Sequence, residues 1–533
     1  MRDGVRTVIL AINAKYVHSS LAAWVIAGGV RKHARMRHGI QVAQANINQS
    51  IDAIAAQVTE HSPDVVGVSS YIWNAHLLPG LLRLLREKLP RAVTVLGGPE
   101  ASHNAGFWLS YADYIICGEG EKSFPALLDE LACGNPFTQR IIPEEQPTDD
   151  FIDPYSAEYF AAQQNRIEYI ETSRGCPYRC AFCLSGGSKL RFFPVDAAKD
   201  QIVRLARQGA QTIKFVDRTF NCNPERAYEL FEFCIGLKTD CRFHFEVAPD
   251  LFDARTISLL REAPPGRIQL EAGLQSFYSP ALEASSRQTD LAAAQRNIRE
   301  LLERKNIHIH VDLIAGLPYE RLADFKNSFD RAYALGAHTL QLGFLKMLHG
   351  SEMRKREKSI VYAENPPYEI ISSPWMSAGD LKILKTAERA LQHTHNKGRF
   401  LSAVGYAQKA SGMRPFEFYH SLGENTQSYA APLEDYAWQI YSHLIKLNGV
   451  DAKILLGHMI CDWMGMVKGK NMPKFMRIQG ERAKHTAQEA KKLLGRCVER
   501  QEACLLPSGG GVFVDSQTRD PVTGLYRIYF ISG

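Results

Sequence analysis

The chain alternates short, nearly unbroken apolar runs with stretches whose apolar residues recur every three or four positions. In the first 140 residues the apolar runs predict strands over 7–12, 41–46, 65–70, 93–97 and 114–117. Helical spacing fills the gaps over 21–34, 51–61 and 77–89, and Pro63 stops the second of these. Strand and helix alternating in this way predict a parallel, doubly wound sheet of flavodoxin type. Such sheets bind ligands beyond the carboxyl ends of their strands. Those ends read Asn13-Ala14-Lys15-Tyr16, Ser69-Ser70-Tyr71, Gly97-Gly98-Pro99-Glu100 and Gly118-Glu119-Gly120-Glu121. Small residues there let the backbone approach a bulky ligand closely, although ordinary strand-end turns carry the same residues.

Residues 134–165 are polar, with several Pro, Asp, Glu and Gln, and read as a linker. A second alternating series follows. Strands are expected over 167–172, 212–216, 243–248, 268–273, 307–314 and 339–345, with helices such as 197–208 and 291–304 between them. Six strand-helix units predict a partial (β/α)6 barrel, short of the eight units of a closed one. Helical periodicity dominates 378–500, and 512–515 with 525–531 reads as a closing hairpin. The expected division is 1–140, a linker at 141–165, a barrel at 166–350 and a mostly helical C-terminal domain at 351–533.

Composition narrows this picture only slightly. With 45% hydrophobic and 23% charged residues in 533, the chain has a globular make-up. A net charge of +6 is spread thinly; it suits a small anionic ligand and does not argue for nucleic acid. No apolar run approaches the roughly 18 residues that span a bilayer. The apolar start over 7–12 reads as a first strand, not a signal peptide, so the cytoplasm is the expected compartment. Cysteine is more informative. Three of the eleven lie within eight residues, and the rest (117, 133, 222, 234, 241, 461, 497 and 504) are scattered. That distribution fits reduced thiols and one metal site.

The clustered three are Cys176-Pro-Tyr-Arg-Cys180-Ala-Phe182-Cys183, directly after the predicted strand Tyr169-Ile-Glu-Thr. Three thiolates at this spacing can ligate three irons of a [4Fe–4S] cubane and leave the fourth open to a chelating ligand. Structural zinc would want a fourth Cys or His, and the nearest histidines are His103 and His244.

Gly175 to Cys183, with an aromatic before the third cysteine, resembles the radical S-adenosylmethionine (SAM) enzymes. The resemblance implies a partial barrel whose cluster binds SAM and cleaves it to a 5′-deoxyadenosyl radical. It also implies a SAM-binding set of Phe182, Asp217, Glu246, Glu271, Gln275, Arg287, Asp312 and Gly316. Asp217 would meet the methionine amino group, although a family-typical Gly-Gly-Glu is absent from Phe215–Asn221. Arg287 would meet the methionine carboxylate, the other acceptors would meet the ribose, and Gly316 would lie beside the adenine. Each could equally serve as a barrel salt bridge or cap.

A flavodoxin-like domain ahead of such a barrel resembles the cobalamin-binding subclass. That implies a cobalamin site at Asn13, Ala14, Tyr16, Ser69, Ser70, Tyr71, Gly97, Gly98, Pro99, Gly118, Glu119 and Gly120. The Asp-x-His-x-x-Gly cobalt-ligating motif is absent, and His18 reads as structural. Methylthiotransferases share the domain order, but they need N-terminal cysteines and residues 1–116 contain none.

The expected activity is cobalamin-dependent radical SAM methylation of an unactivated carbon or phosphorus centre in a small-molecule or peptide substrate. An external one-electron donor such as flavodoxin or ferredoxin is expected; membrane and nucleic-acid partners are not. A radical SAM rearrangement, cyclisation or SAM-fragment transfer is an alternative within the class. A non-catalytic cobalamin or iron–sulfur sensor is the alternative outside it. Tyr71 and Trp73 read either as a cover for a corrin ring or as a cover for the sheet.

Overall fold

The computed structural model describes residues 4–144, 150–163, 165–426, 431–468, 472–478, 482–495 and 502–531. Its chain divides into two compact units, each assembled from separated stretches: 1–247 with 285–288 and 345–371, and 248–284 with 289–344 and 372–533.

The first unit opens with six strands: β1 (Arg6–Asn13), β2 (Gly39–Asn46), β3 (Val65–Ser69), β4 (Val93–Gly97), β5 (Tyr114–Ile116) and β6 (Ile141–Ile142). They pair in the order β2-β1-β3-β4-β5-β6, all parallel. Seven of the eight β1 residues are buried, as expected of a strand covered on both faces. The covering helices include Leu21–His33, Ile51–Thr59, Leu78–Lys88 and Ser123–Cys133. Leu81, Leu82 and Leu85 meet Val66, Val68 and Leu96 in one core, and Ser50 caps the second helix by accepting from Ala53 N. The predicted strands fall within two residues of those observed. Within the stretch read as linker, β6 extends the sheet, Ala157–Ala162 forms a short helix capped by Ser156, and residues 145–149 and 164 lie outside the described residues.

The same unit continues with β7 (Glu168–Ile170), β8 (Ser173–Arg174), β9 (Arg191–Phe192), β10 (Thr212–Phe215) and β11 (Arg242–Val247). Strands β7, β10 and β11 pair in parallel in that order. Strands β8 and β9 form a two-residue antiparallel ribbon.

The second unit holds β12 (Ile268–Gln275), β13 (His308–Ala315) and β14 (Thr339–Phe344), parallel and adjacent in that order. Strands β12 and β13 alternate strictly between buried and half-buried positions. Gln269, Glu271, Gly273 and Gln275 therefore share one face of β12, and His308, His310 and Asp312 share one face of β13. Helices Ala378–His393, Leu401–Ser411, Pro415–Asn425, Leu433–Leu444, Ala452–Met466 and Arg482–Leu494 follow. Residues 496–500, the end of the expected helical stretch, lie outside the described residues. The closing hairpin is present, but as two strands of a three-stranded antiparallel sheet: Gly511–Arg519 pairs with Tyr526–Ile531 and also with Ala503–Leu505. The third strand is three residues long, too short to show a period of two.

Candidate active site

The three cysteines sit on a loop closed at its base by the β8–β9 ribbon. Gly175 enters it at φ +89°, where a β-carbon would come within 2.2 Å of Lys189 O, so only glycine fits. Inside the loop Gly187 N donates to Tyr178 O (2.8 Å) and Cys183 N donates to Cys180 O (3.1 Å). Two segments brace it from outside: Ala181 N donates to Ser285 O and Met353 N donates to Ala181 O, each at 2.8 Å.

These bonds hold three free thiols within one turn of chain. Cys176 and Cys180 are 8% and 6% exposed, and Cys183 is half-buried. Burial pushes the Cys183 thiol up, and the nearby Arg218 charge opposes it. Arg287 Nη1 lies 3.6 Å from Cys180 Sγ, and its guanidinium stands 5.6 Å from the Tyr178 ring. Thr219 Oγ1 is 3.6 Å from Cys176 Sγ. The Arg287 guanidinium stands where it can hydrogen-bond a ligating sulfur. The donor set therefore fits a three-cysteine cluster with one open iron.

Asp217, at the end of β10, is 2% exposed. It accepts from Thr172 N (2.9 Å), Thr172 Oγ1 (2.7 Å) and Ser173 Oγ (2.5 Å), so it ties β10 to the entry of the cysteine loop. Burial pushes its carboxyl up to about 6 against these hydrogen bonds. Glu246 on β11 pairs with Lys214 on β10 at 3.4 Å. Phe182 is half-buried beside Cys183.

In the second unit, Glu271, His310 and Asp312 bring their ligand atoms within 4.8 Å of one another. His310 Nε2 lies 2.9 Å from Asp312 Oδ1. A register shift between Gly273 and Gln275 sets Gln275 at φ +69°, a bulge that re-aims its side chain. Gly316 ends β13 at φ +90°. His310 joins the expected acceptors here, and the two-residue period from Asp312 was its available signal.

The strand ends of the first sheet are tightly built. Asn13 Nδ2 donates to His18 O (2.9 Å) and closes the first loop; Ala14 is half-buried and Tyr16 is 59% exposed under the Arg166 guanidinium. His18 Nδ1 lies 2.7 Å from Tyr169 Oη, and burial holds its pKa down, so it serves the fold. Ser70 Oγ donates to Gly97 O and accepts from Ala101 N, both at 2.8 Å. Ser69 Oγ is buried and has no partner among the described residues. Gly98 sits at φ +94°, where a β-carbon would lie 2.6 Å from Ser70 O, and Pro99 starts a one-turn helix. Tyr71 stacks on Trp73 at 4.2 Å and 7°. The buried Ser69 hydroxyl, without a partner among the described residues, and the stacked Tyr71–Trp73 pair are the features of these strand ends that fit a ligand with a flat face.

Two pairings here were not foreseen from the sequence, although it marked Glu100, His349 and Tyr368 individually as residues near strand ends or the barrel mouth. Tyr368 Oη donates to the buried Glu100 carboxylate at 2.6 Å, with His349 edge-on to the tyrosine ring. Arg174 gathers Glu119, Glu121 and Glu171, while Arg191 also pairs with Glu119. Only the acidic Glu119-Gly120-Glu121 run hinted at the second group. Gly120 packs against Ile26 of the first helix, and Gly118 turns at φ +71°.

Residues 7–128 match the family described as B12 binding domain, and residues 170–332 match the Radical SAM superfamily. Residues 357–504 match a family described as Protein of unknown function (DUF4080). The chain is 26% identical over 377 residues to the cobalamin-dependent radical SAM methyltransferase TokK of Streptomyces tokunonensis, covering 63% of this chain and 55% of TokK. It is 25% identical over 332 residues to a 2-(S-pantetheinyl)-carbapenam-3-carboxylate methyltransferase of Streptantibioticus cattleyicolor, covering 54% of this chain and 47% of that enzyme. The chain thus spans about half the length of these curated relatives. Its fold is similar to that of the cobalamin-dependent radical SAM enzyme OxsB solved with aqua-cobalamin and SAM (TM-score 0.59, 14% identity, 86% of this chain and 78% of that one). It is also similar to the radical SAM methyltransferase TsrM of Kitasatospora setae solved with cobalamin and a [4Fe–4S] cluster (TM-score 0.54, 17% identity, 68% and 78%).

Proposed function

From a chain that joins a B12-binding domain to a radical SAM domain and is a homologue of the cobalamin-dependent radical SAM methyltransferases, we infer an enzyme that methylates an unactivated carbon or phosphorus centre. The observation that carries this reading is the three-thiol loop, with Arg287 beside Cys180, set in the same compact unit as the glycine-lined strand ends. When bound, the cluster supplies one electron to SAM and cobalamin carries the methyl group.

The chain's own residues do the rest. Cys176, Cys180 and Cys183 hold iron. Arg287, already at the cluster sulfurs, takes the methionine carboxylate. Asp217 shapes the loop through Thr172 and Ser173 and would take the amino group. Glu246 in the first unit, and Glu271, Gln275 and Asp312 in the second, are acceptors of the kind that ribose hydroxyls require; Phe182 and Gly316 keep the roles that the resemblance gives them. The loops at Asn13, Ser69, Gly97 and Gly118 carry cobalamin, with Tyr71 and Trp73 against the corrin. Residues 1–140 form the cobalamin domain, 166–350 the SAM domain and 351–533 the part that selects a small-molecule or peptide substrate. A flavodoxin or ferredoxin supplies the electron, and the ten described cysteines, none in a disulfide, suit a reducing cytoplasm. Among those residues no helix is long and apolar enough to cross a membrane.

A ring-forming reaction is the second reading. It is favoured by 24% identity over 321 residues to an anaerobic magnesium-protoporphyrin IX monomethyl ester cyclase of Rubrivivax gelatinosus.

Anaerobic reconstitution with iron, sulfide and hydroxocobalamin tests the assignment. About four irons and one cobalt per chain are expected, with iron lost on Cys176→Ala/Cys180→Ala/Cys183→Ala. Iron without cobalt overturns methyl transfer as the leading chemistry. A loaded cluster that never cleaves SAM under reduction would favour a sensor.

A further inference from the structure

The side chain of Arg174, two residues before Cys176, leaves the ribbon and joins two structures that the sequence keeps far apart. Its Nη1 lies 3.0 Å from Glu119 Oε2 and 2.8 Å from Glu121 Oε1, both on the loop that ends β5 of the B12-binding sheet. Its Nε and Nη2 fork onto Glu171 Oε1 and Oε2, at 3.0 and 2.6 Å, where β7 runs into the ribbon. Arg191, across the ribbon on β9, takes the other oxygen of Glu119. Two guanidiniums thus hold three carboxylates, all within one compact unit.

Exposed ion pairs leave geometry slack, because both side chains remain free to move. This group is not of that kind. Arg174, Glu121 and Glu171 keep 23%, 15% and 21% of their side-chain exposure, and Arg191 keeps 5%. Phe193 packs 5.7 Å from the Arg174 guanidinium on a further side. A planar fork saturated in two directions has one orientation, which a lysine ammonium cannot reproduce.

We propose that Arg174 is a positioning residue: it clasps the β5 strand-end loop to the base of the cysteine loop and so fixes the separation between cobalamin and the iron–sulfur cluster. This role rests on the reading that the chain holds both cofactors. Its consequence is specific. Methyl transfer from SAM to cobalt needs an in-line approach, and a displacement of about 1 Å in such a geometry costs on the order of 100-fold in rate. Loosening the clasp should leave each cofactor in its own site and blur the distance between them.

The test uses the reconstituted full-length protein, with cob(II)alamin and the reduced cluster as paired paramagnets read by pulsed electron paramagnetic resonance. The variants are Arg174→Lys, which keeps the charge and loses the fork, and Glu121→Gln, which keeps the shape and loses the charge. Both should retain iron and cobalt, yet show a broadened cobalt–cluster dipolar coupling, more so in the Arg174→Lys variant. Transfer of labelled methyl from SAM to cobalamin should fall by about 10- to 100-fold. Full loading with an unchanged coupling and an unchanged transfer rate overturns the proposal. Loss of either cofactor from both variants also overturns it, since the clasp would then serve loading and not spacing. A wild-type chain that takes up iron but no cobalt sinks the cobalamin reading itself, a failure visible before any variant is made.

Discussion

At Gly175 the backbone turns left-handed, and Lys189 O stands where a β-carbon would go. Gly175→Ala should therefore strain the loop by about 1–3 kcal/mol and lower iron uptake per chain, measured after reconstitution; normal iron binding would show that the loop can shift. A second residue, Glu320, makes stability depend on pH. It is fully buried, accepts from Ser276 and Ser328, and burial pushes its carboxyl from 4.5 up to about 7. The folded state keeps a proton there that the unfolded chain releases. Its contribution is therefore full below pH 4.5 and is lost as the pH rises through 7, roughly 3 kcal/mol in all. Glu320→Gln should gain on the parent by about that amount between pH 4.5 and 8 in denaturant unfolding. A difference that stays constant with pH would mean that Glu320 does not take up a proton on folding. Residue chemistry was legible where it is local: the cysteine spacing alone marked one loop as the candidate cluster site. The pairings of Arg174 with Glu121 and of Glu100 with Tyr368 were not legible, because they span 53 and 268 positions.

At the scale of elements, the apolar runs placed β1 to β5 because strands covered on both faces need little besides apolar residues. Strand β6, two residues long, carries no period and was missed; it exists because β5 offers a free edge. In the second unit the starts of β13 and β14 bring His308 and His338 into a stack at 4.9 Å, with His395 nearby. Burial first, then the charges of His308 and His395, hold His338 down to about 4 from 6.5. A neutral buried imidazole contributes stability that is full above pH 6.5 and is lost as the pH falls through 4. His338→Asn, which can still accept from Ile309 N, should flatten the acid limb of a thermal-unfolding profile between pH 6.5 and 4. An unchanged limb would assign acid sensitivity to other groups.

For the whole molecule, the cysteine loop is fastened to segments from three parts of the chain, through Ser285, Met353 and the β8–β9 ribbon. Removing iron by chelation should raise amide exchange over 175–188 and at the bracing segments near 285 and 353, while the helices from Ala378 to Met466 keep their protection. Uniform deprotection would mean that the cluster stabilises the fold globally. By itself the sequence determined the order of most strands and helices, the doubly wound sheet and the clustering of three cysteines within eight residues. Each of these rests on periods of two or 3.6 or on spacings of a few residues, which short-range sterics fix. Only the tertiary structure decided that Asp217 bonds to the cysteine loop's entry, that His18 is held by Tyr169, and that Glu119 and Glu121 are clasped by Arg174. Those pairings depend on which strand ends lie side by side, and that is set by the packing of apolar faces rather than by the residues that meet there.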